Sequence, residues 1–196
     1  MIHTVALAQV PAQPWRNGGG STHELLAWPD AAHWQWRISV AEITQDGPFS
    51  SYPGVQRWFA VLHGAGVMLR FAAHRERITP QSPPLHFGGT DAPGCELLDG
   101  STQDLNMMLR SDAGTGCMEI TFPGEEWLSQ APHRALFSTG AGMLQIGDTD
   151  AARLGAMSLA CSHRAAQQRW RWLPDDPTAS RAWWLSFKVS FKEGSA

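Results

Sequence analysis

The sequence is poor in the residues that mark redox, zinc and nucleic-acid-binding proteins. Its three cysteines, Cys95, Cys117 and Cys161, are widely spaced and form no CxxC pair, so neither a zinc knuckle nor a thioredoxin-like redox site is available. The net charge is −3, only two of the 15 basic residues are lysines, and no basic patch is present. These features give no electrostatic basis for binding nucleic acid or an anionic membrane.

Long apolar runs are also missing. The longest uninterrupted run is far shorter than the roughly 20 residues of a membrane helix. The N-terminus has neither the basic start nor the apolar centre of a signal peptide. We therefore expect a cytoplasmic protein without membrane association, whose cysteines are buried or inert thiols in a reducing compartment.

Motifs for metal binding and nucleophilic catalysis are absent from the sequence. The eight histidines include no His-x-His pair and no HExxH, so we expect no metal site and no cofactor. No Gly-x-Ser-x-Gly elbow occurs. The glycines at 18–20 lack the Gly-Lys-Ser/Thr ending and the following helix of a phosphate loop. They form either a flexible turn or a backbone segment that approaches a ligand closely, since glycine has no Cβ.

What the sequence does contain is frequent turns between short strand-like runs. Its 19 glycines and 13 prolines recur at short intervals, and the runs between them are rich in Trp, Phe, Val and Ile. This pattern predicts about a dozen short strands in an all-β barrel or sandwich. A break near residues 112–116 suggests two β halves, at roughly 1–112 and 113–196.

Two segments alternate clearly enough to assign their faces. Residues 34–43 and 183–191 both have largely alternating apolar and polar side chains, as in half-buried strands. In the first, one face is expected to carry Trp34, Trp36, Ile38 and Val40, and the other Gln35, Arg37, Ser39 and Ala41. The glycines at 64 and 66 predict a hairpin between strands at 58–64 and 67–71. A short helix is expected within 150–170, from the helix formers at 151–154 and 164–168.

Polar residues on the predicted strands are candidates for a binding site. The chain has only two asparagines, Asn17 and Asn106, and Asn106 shares a strand face with Asp104. Such a face points either to solvent or into a wet lumen. The same two alternatives apply to three residues on the neighbouring strands, Arg37, Ser39 and Arg57.

Three blocks of the sequence resemble the HutD/Ves family. Residues 14–22 (PWRNGGGST) are similar to its PW(K/R)NGGG(S/T)T signature. Residues 36–57, with WRISVAEI, DGPFS and YPGVQR, resemble its second block, and residues 98–108, with LDG and DLNMM, resemble its third. The blocks run in order across roughly the first 110 residues. The C-terminal half contains no similar block, and residues 150–176 are expected to be an elaboration of this chain.

The resemblance implies a single bicupin unit over residues 1–196, made of two packed cupin-like barrels without the cupin metal signature. Strand exchange between its halves is compatible with this. Family members are associated with histidine utilisation, where a regulatory role through binding urocanate or formylglutamate has been proposed. The family brings no established catalytic activity.

The residues in these blocks suit a small carboxylate ligand. Arg37 or Arg57 can bind a carboxylate bidentately, which is worth roughly 1.5–3 kcal/mol. Asn17 and Asn106 can recognise an amide, formyl or imidazole edge, while Glu42 either holds a buried arginine or closes a strand end. The predicted ligand-binding set is Trp15, Asn17, Gly18, Trp36, Arg37, Ser39, Arg57, Asp104 and Asn106, with Trp15 or Trp36 as an apolar wall and Asp104 orienting an arginine.

Three functions are compatible with these residues. The first, which we favour, is a metal-independent protein that binds a small anionic metabolite and acts in regulation rather than catalysis. The second is a metal-free isomerase or amide hydrolase that uses Glu42, Asp104 or His86 as acid or base. The third is a protein-interaction module with exposed tryptophans. A homodimer is compatible with all three.

Overall fold

The computed structural model describes residues 2–165 and 167–190, and nearly all of its regular structure is β-strand. Within those ranges the helical structure is limited to one 3-10 turn, Leu7–Gln9. No helix in the described part of the chain is long and apolar enough to cross a membrane. The predicted all-β class is therefore confirmed.

The chain forms two compact units. The N-terminal unit is Val10–Ser111, and the C-terminal unit combines the residues up to Gln9 with the chain from Asp112 onwards. Strand β1, His3–Ala6, belongs to the C-terminal unit because it pairs antiparallel with Ser158–Ser162. The N-terminal segment is thus exchanged into the sheet of the other half of the sequence.

The N-terminal unit is a sandwich of two open sheets. Its strands are β2 (Gln13–Pro14), β3 (Gly20–Trp28), β4 (Trp36–Ile43), β5 (Gly47–Pro48), β6 (Val55–His63), β7 (Val67–Arg70), β8 (Arg75–Ile78), β9 (Leu85–Gly88), β10 (Gly94–Leu97) and β11 (Thr102–Arg110). One sheet has the order β2-β3-β4-β11-β6-β9 and the other β5-β10-β7-β8. Phe59 and Val61 from the first sheet pack with Leu69 and Cys95 from the second, so the core lies between them.

The C-terminal unit is built in the same way. Its further strands are β12 (Gly114–Ile120), β13 (Glu126–Leu128), β14 (His133–Ser138), β15 (Gly142–Ile146), β16 (Asp150–Leu154), β17 (Ser158–Ser162), β18 (Arg169–Pro174) and β19 (Ala182–Val189). The sheets have the orders β1-β17-β14-β19-β12 and β13-β18-β15-β16. Leu136 and Trp184 of the first sheet pack with Leu144, Trp170 and Trp172 of the second.

The two units repeat one connectivity. The order β4-β11-β6-β9 corresponds strand for strand to β12-β19-β14-β17, and β5-β10-β7-β8 corresponds to β13-β18-β15-β16. Strands β4 to β11 and β12 to β19 are therefore two copies of an eight-strand arrangement. Residues 150–176 supply β16, β17 and β18, which have counterparts in the N-terminal unit. The expectation that this segment is an elaboration is wrong, because it is part of the repeated fold.

The predicted short helix is also wrong. Residues 150–154 form β16, which pairs along its whole length with β15. Arg164 and Gln167 lie in a bend and a turn, and residue 166 lies outside the described residues. Helix propensity is a weak preference, and pairing with a neighbouring strand overrides it.

The predicted hairpin at residues 64–66 is replaced by a crossover between sheets. Strand β6 lies in one sheet and β7 in the other, so the chain changes sheet at this point. Gly64 and Gly66 have φ values of +91° and +101°, and a Cβ at either would lie within 2.5 Å of a backbone oxygen. The glycines are needed for this tight crossing, not for a hairpin turn.

The assigned faces agree with the structure where strands are observed. In β4, Trp36, Ile38 and Val40 are fully buried on one face, while Arg37 and Ser39 lie on the other. The last strand ends at Val189. Phe191, with which the predicted strand ended, lies outside the described residues.

Candidate functional site

A cavity of about 550 Å³ lies in the N-terminal unit. Its wall is formed by inward-facing residues of β3, β4, β6 and β11, together with the loops around β2 and β5. The residues that line it are Gln13, Pro14, Trp15, Arg16, Asn17, Thr22, Arg37, Ser39, Ala41, Ile43, Pro48, Phe49, Ser50, Tyr52, Arg57, Asp104, Asn106 and Met108. The volume is in the ordinary range for small-molecule sites.

Strand register brings the charged and polar side chains together. Three alternate residues of β11, Asp104, Asn106 and Met108, face the cavity. Met108 is directly opposite Arg37 on β4 and Arg57 on β6, and Asn106 is opposite Ser39. Because directly opposite residues of neighbouring strands share a face, residues far apart in sequence meet in one small area.

Arg57 is the buried cation of this site. Its side chain is only 7% exposed, and its Nη2 donates a hydrogen bond to Asn106 Oδ1 at 3.1 Å. The guanidinium carbon lies 4.9 Å from the ring centre of Phe49, 5.8 Å from that of Tyr52 and 5.2 Å from that of Phe87. Among the described residues, Nε and Nη1 have no hydrogen-bond partner. An aromatic box thus holds a cation that still has donors to offer.

Asp104 is the buried acid of the site. It is completely buried, its Oδ1 accepts a hydrogen bond from Asn106 Nδ2, and its Oδ2 has no partner within the described chain. Burial raises the pKa of Asp104 well above its usual value, against the opposing effects of Arg57 and the Asn106 hydrogen bond. A protonated Asp104 is a hydrogen-bond donor and leaves the charge of Arg57 uncompensated. The cavity then carries a net positive charge.

Arg37 differs from Arg57 because it already has an acidic partner. Its Nε donates to Glu24 Oε2 at 2.6 Å, and the two side chains are 18% and 22% exposed. Glu24 was not among the predicted site residues. Only its pairing with Arg37 across β3 and β4 gives it a role, and this pairing requires the strand register.

The glycine-rich segment forms a hydrogen-bonded loop at the edge of the cavity. Trp15 Nε1 donates to Thr22 Oγ1 at 2.8 Å, and Asn17 Oδ1 accepts from the backbone amide of Gly19 at 3.1 Å. A Cβ at Gly20 would lie 2.1 Å from the carbonyl oxygen of Glu42. The side-chain carbonyl of Asn17 is therefore used within the loop, and its amide group is the part that can meet a ligand.

Seven of the nine predicted ligand-binding residues line the cavity: Trp15, Asn17, Arg37, Ser39, Arg57, Asp104 and Asn106. Trp36 does not, because strand alternation directs it to the opposite face of β4, where it is fully buried. Gly18 is in the loop beside Asn17 and is not one of the lining residues. Of the two predicted tryptophans, Trp15 is thus the one that lines the cavity.

Several lining residues were not predicted individually. Phe49 and Tyr52, which flank Arg57, lie in a block that resembles the family, so a signal for them was present. Met108 follows from its alternation with Asn106. Glu42 and His86, considered as acids or bases, are exposed and do not line the cavity. His86 instead stacks on Trp58, with 4.3 Å between ring centres.

The structure also bears on two features considered from the sequence, exposed tryptophans and a metal site. All ten tryptophans are buried or partly buried, so an interaction surface of exposed tryptophans is not present. Across residues 2–165 and 167–190, no group of three or more His, Cys, Asp or Glu side chains is placed to hold a metal ion. The buried polar side chains that line the cavity include Arg57, Asp104 and Asn106.

Comparison with known proteins identifies the family of the chain. A family model described as HutD matches residues 7–176. The chain belongs to the HutD family. Protein Ves of Citrobacter koseri is 35% identical over 108 residues, which cover 54% of this chain and 56% of that protein. An uncharacterized 21.2 kDa protein in the hutC 3′ region of Pseudomonas putida is 34% identical over 100 residues, covering 50% and 53%. These alignments span little more than half the length of the relatives.

Solved structures extend the similarity to the whole fold. HutD from Pseudomonas fluorescens SBW25 superposes with a TM-score of 0.85 at 22% identity, over 97% of this HutD-family chain and 100% of that one. A conserved protein of unknown function from Pseudomonas aeruginosa PAO1 gives 0.86 at 24% identity, with the same coverage. A formate complex of oxalate decarboxylase from Lactobacillus farciminis gives 0.62 at 9% identity, over 94% and 85%. The fold of the chain is therefore all-β and cupin-like.

Proposed function

We propose that this HutD-family protein binds a small anionic metabolite in the cavity of its N-terminal unit, without a metal and without catalysis. The ligand is a carboxylate, and its binding serves a regulatory role in histidine utilisation. Urocanate and formylglutamate are the candidate ligands. We further propose that the two units, with their repeated connectivity, make the chain a bicupin.

The proposal rests on the unsatisfied hydrogen-bond donors of the buried Arg57. This side chain is only 7% exposed, yet two of its three guanidinium nitrogen atoms have no partner among the described residues. Leaving donors of a buried charged group unsatisfied is costly, and a carboxylate supplies both the acceptors and the opposite charge. Burial raises the pKa of the acid beside it, Asp104, and in its protonated form this group adds a third donor.

The remaining groups fit the rest of such a ligand. Trp15, Phe49 and Tyr52 supply apolar walls for a planar or aliphatic body. The amide of Asn17 and the hydroxyl of Ser39 are available to recognise a second polar group. Imidazole and formamide both contain such a group, and each is attached to a carboxylate in one of the two candidates.

The biological context comes from relatives. The P. putida relative is described by its place in the hutC 3′ region, and the P. fluorescens relative is named HutD. Both names belong to histidine utilisation. Because the alignments cover only part of the curated relatives, the role of this chain in histidine utilisation belongs to the proposal.

A thermal-shift screen tests the proposal. The chelator-treated protein is heated with histidine, urocanate, formylglutamate, glutamate or unrelated dicarboxylates. A ligand present at 100 times its dissociation constant stabilises the native state by about 2.7 kcal/mol, which the screen detects. A selective rise with one pathway intermediate, lost in the Arg57→Met variant, is the expected result. No rise with any of them would contradict the proposal.

The buried acid favours one second candidate, a metal-free isomerase or amide hydrolase acting on a small carboxylate. Asp104 lines the cavity and has a raised pKa, as a general acid requires. This function predicts turnover of a pathway intermediate by the wild type that is abolished in Asp104→Asn. Binding without turnover in both proteins would eliminate it.

A further inference from the structure

The C-terminal unit contains a second buried arginine that resembles the one in the cavity. Arg134 on β14 is completely buried, and its Nη1 donates to the backbone oxygen of Gln168 at 2.7 Å. Its Nε and Nη2 have no hydrogen-bond partner within the described residues. These two atoms form one edge of the guanidinium, the edge that binds an anion with two parallel hydrogen bonds.

The surroundings of Arg134 supply further donors. Its guanidinium carbon lies 5.4 Å from the ring centre of Trp127 and 5.3 Å from that of Trp170. Trp170 Nε1 is also buried and has no partner in the described part of the chain. Ser162 and Ser186 are directly opposite Arg134 on the two neighbouring strands, and both are buried. The cluster is rich in N–H and O–H groups.

The position of Arg134 repeats that of Arg57. Each lies near the start of its strand and faces the space between two sheets, and β6 and β14 are corresponding strands of the repeated connectivity. Each also packs against aromatic rings. The difference is that Arg57 has Asp104 close by, and this acid opposes the effect of burial on the pKa of Arg57. At Arg134, burial lowers the pKa to about 10, so the group stays charged at neutral pH.

No acid in the described part of the chain pairs with Arg134. A buried charge whose donors are unsatisfied is stabilised by a negative counter-charge. We propose that the C-terminal unit holds a second, enclosed anion site, centred on Arg134 Nε and Nη2 and Trp170 Nε1, that binds a small monovalent inorganic anion such as chloride. The site is separate from the metabolite cavity and does not depend on the function proposed for it. Its anion is a structural part of the unit.

Thermal unfolding of the full chain tests this site. Chloride replaces gluconate at constant ionic strength, so that only the anion changes. The wild type is expected to gain stability with a saturable dependence on chloride. The rise should persist in Arg70→Met, a control at an exposed arginine that pairs with Glu96, and be lost in Arg134→Met. A wild type that responds equally to both anions, or an unchanged response in Arg134→Met, would overturn the proposal.

A second variant and a crystal structure test the anion site even if Arg134→Met does not fold. Trp170→Phe keeps an aromatic ring and removes the Nε1 donor, so half-saturation should need about tenfold more chloride, as expected for one hydrogen bond to a charged group. A bromide-soaked crystal should show an anomalous peak within hydrogen-bond distance of Arg134 Nε and Nη2. An unchanged half-saturation in Trp170→Phe, or an ordinary water without anomalous signal, would refute the site.

Discussion

Arg57 donates a hydrogen bond to Asn106 across two neighbouring strands, with 3.1 Å between Nη2 and Oδ1. Asn106 in turn donates through its amide to Asp104. The orientation of the Asn106 amide is fixed because its oxygen faces a cation and its nitrogen faces an acid. The three side chains thus form one buried network in the wall of the cavity.

Removing the buried cation should have the largest effect on ligand binding. We predict that Arg57→Met weakens the binding of the metabolite found in the screen by about 2 kcal/mol or more, or roughly 30-fold, because a buried charge pair is lost. Arg37→Met should weaken binding less, since Arg37 is partly exposed and already paired with Glu24. Isothermal titration calorimetry compares the two variants. Wild-type affinity in Arg57→Met would place the ligand elsewhere.

The protonation of Asp104 should make ligand binding dependent on pH. Its pKa is raised well above the usual value by burial. Below that pKa, the neutral acid leaves the charge of Arg57 available to the ligand. As the pH rises through the pKa of Asp104, its carboxylate forms, neutralises the charge of Arg57 and repels an anionic ligand. Affinity is therefore expected to fall with rising pH.

Asp104→Asn is the matched control, because the amide has the same shape and cannot ionise. Its affinity should stay constant over the same pH range, at a level close to that of the wild type at low pH. Titrations at several pH values measure both proteins. Parallel pH profiles for the two would mean that another group controls binding.

Much of the site could be predicted from sequence because it depends on strand alternation. Once residues 36–43 are a strand, Arg37 and Ser39 must share a face, and Trp36 must lie on the other. The same rule places Asp104 with Asn106. The sequence could not show which of the two faces borders the cavity, since every residue of β4 except Glu42 is buried or partly buried.

Other features required information that sequence patterns do not contain. The Arg37–Glu24 ion pair depends on the register between β3 and β4, including an irregularity between Glu24 and Leu26 that shifts the pairing. Residues 150–154 have helix-forming side chains but pair with β15, so long-range contacts decide their structure. The repeat of the two units is visible in the connectivity of their strands, which requires the three-dimensional structure.

The close approach of backbone segments at Gly20 should make this position intolerant of a side chain. A Cβ at Gly20 would lie 2.1 Å from the Glu42 carbonyl oxygen, where β3 begins its pairing with β4. We predict that Gly20→Ala lowers the free energy of unfolding by about 2 kcal/mol or more, in the range of overpacked sites. Gly47→Ala is the control, since its Cβ would be 4.0 Å from its nearest neighbour. Urea denaturation distinguishes them, and equal stabilities would be inconsistent with this packing.

Acid should destabilise the protein through His133. This side chain is 7% exposed, its Nδ1 lies 3.1 Å from that of His163, and it stacks on Phe187 with 5.2 Å between ring centres. Burial and the neighbouring His163 lower the pKa of His133 to about 4, whereas an unfolded histidine titrates near 6.5. Between these values the unfolded chain binds more protons than the folded one. Stability from this group is therefore complete above about pH 6.5 and falls as the pH decreases towards 4.

The expected loss for His133 is roughly 3 kcal/mol by pH 4, from a pKa difference of about 2.5 at 1.36 kcal/mol per unit. Denaturant titrations between about pH 4.5 and 7.5 measure most of this range. The free energy of unfolding of His133→Gln should depend less steeply on pH than that of the wild type, because the contribution of His133 is removed. The remaining slope comes from other groups such as His163. His33→Gln, at a site where the side chain is 82% exposed, should leave the slope unchanged. Equal slopes in the wild type and His133→Gln would show that a different group causes the acid sensitivity.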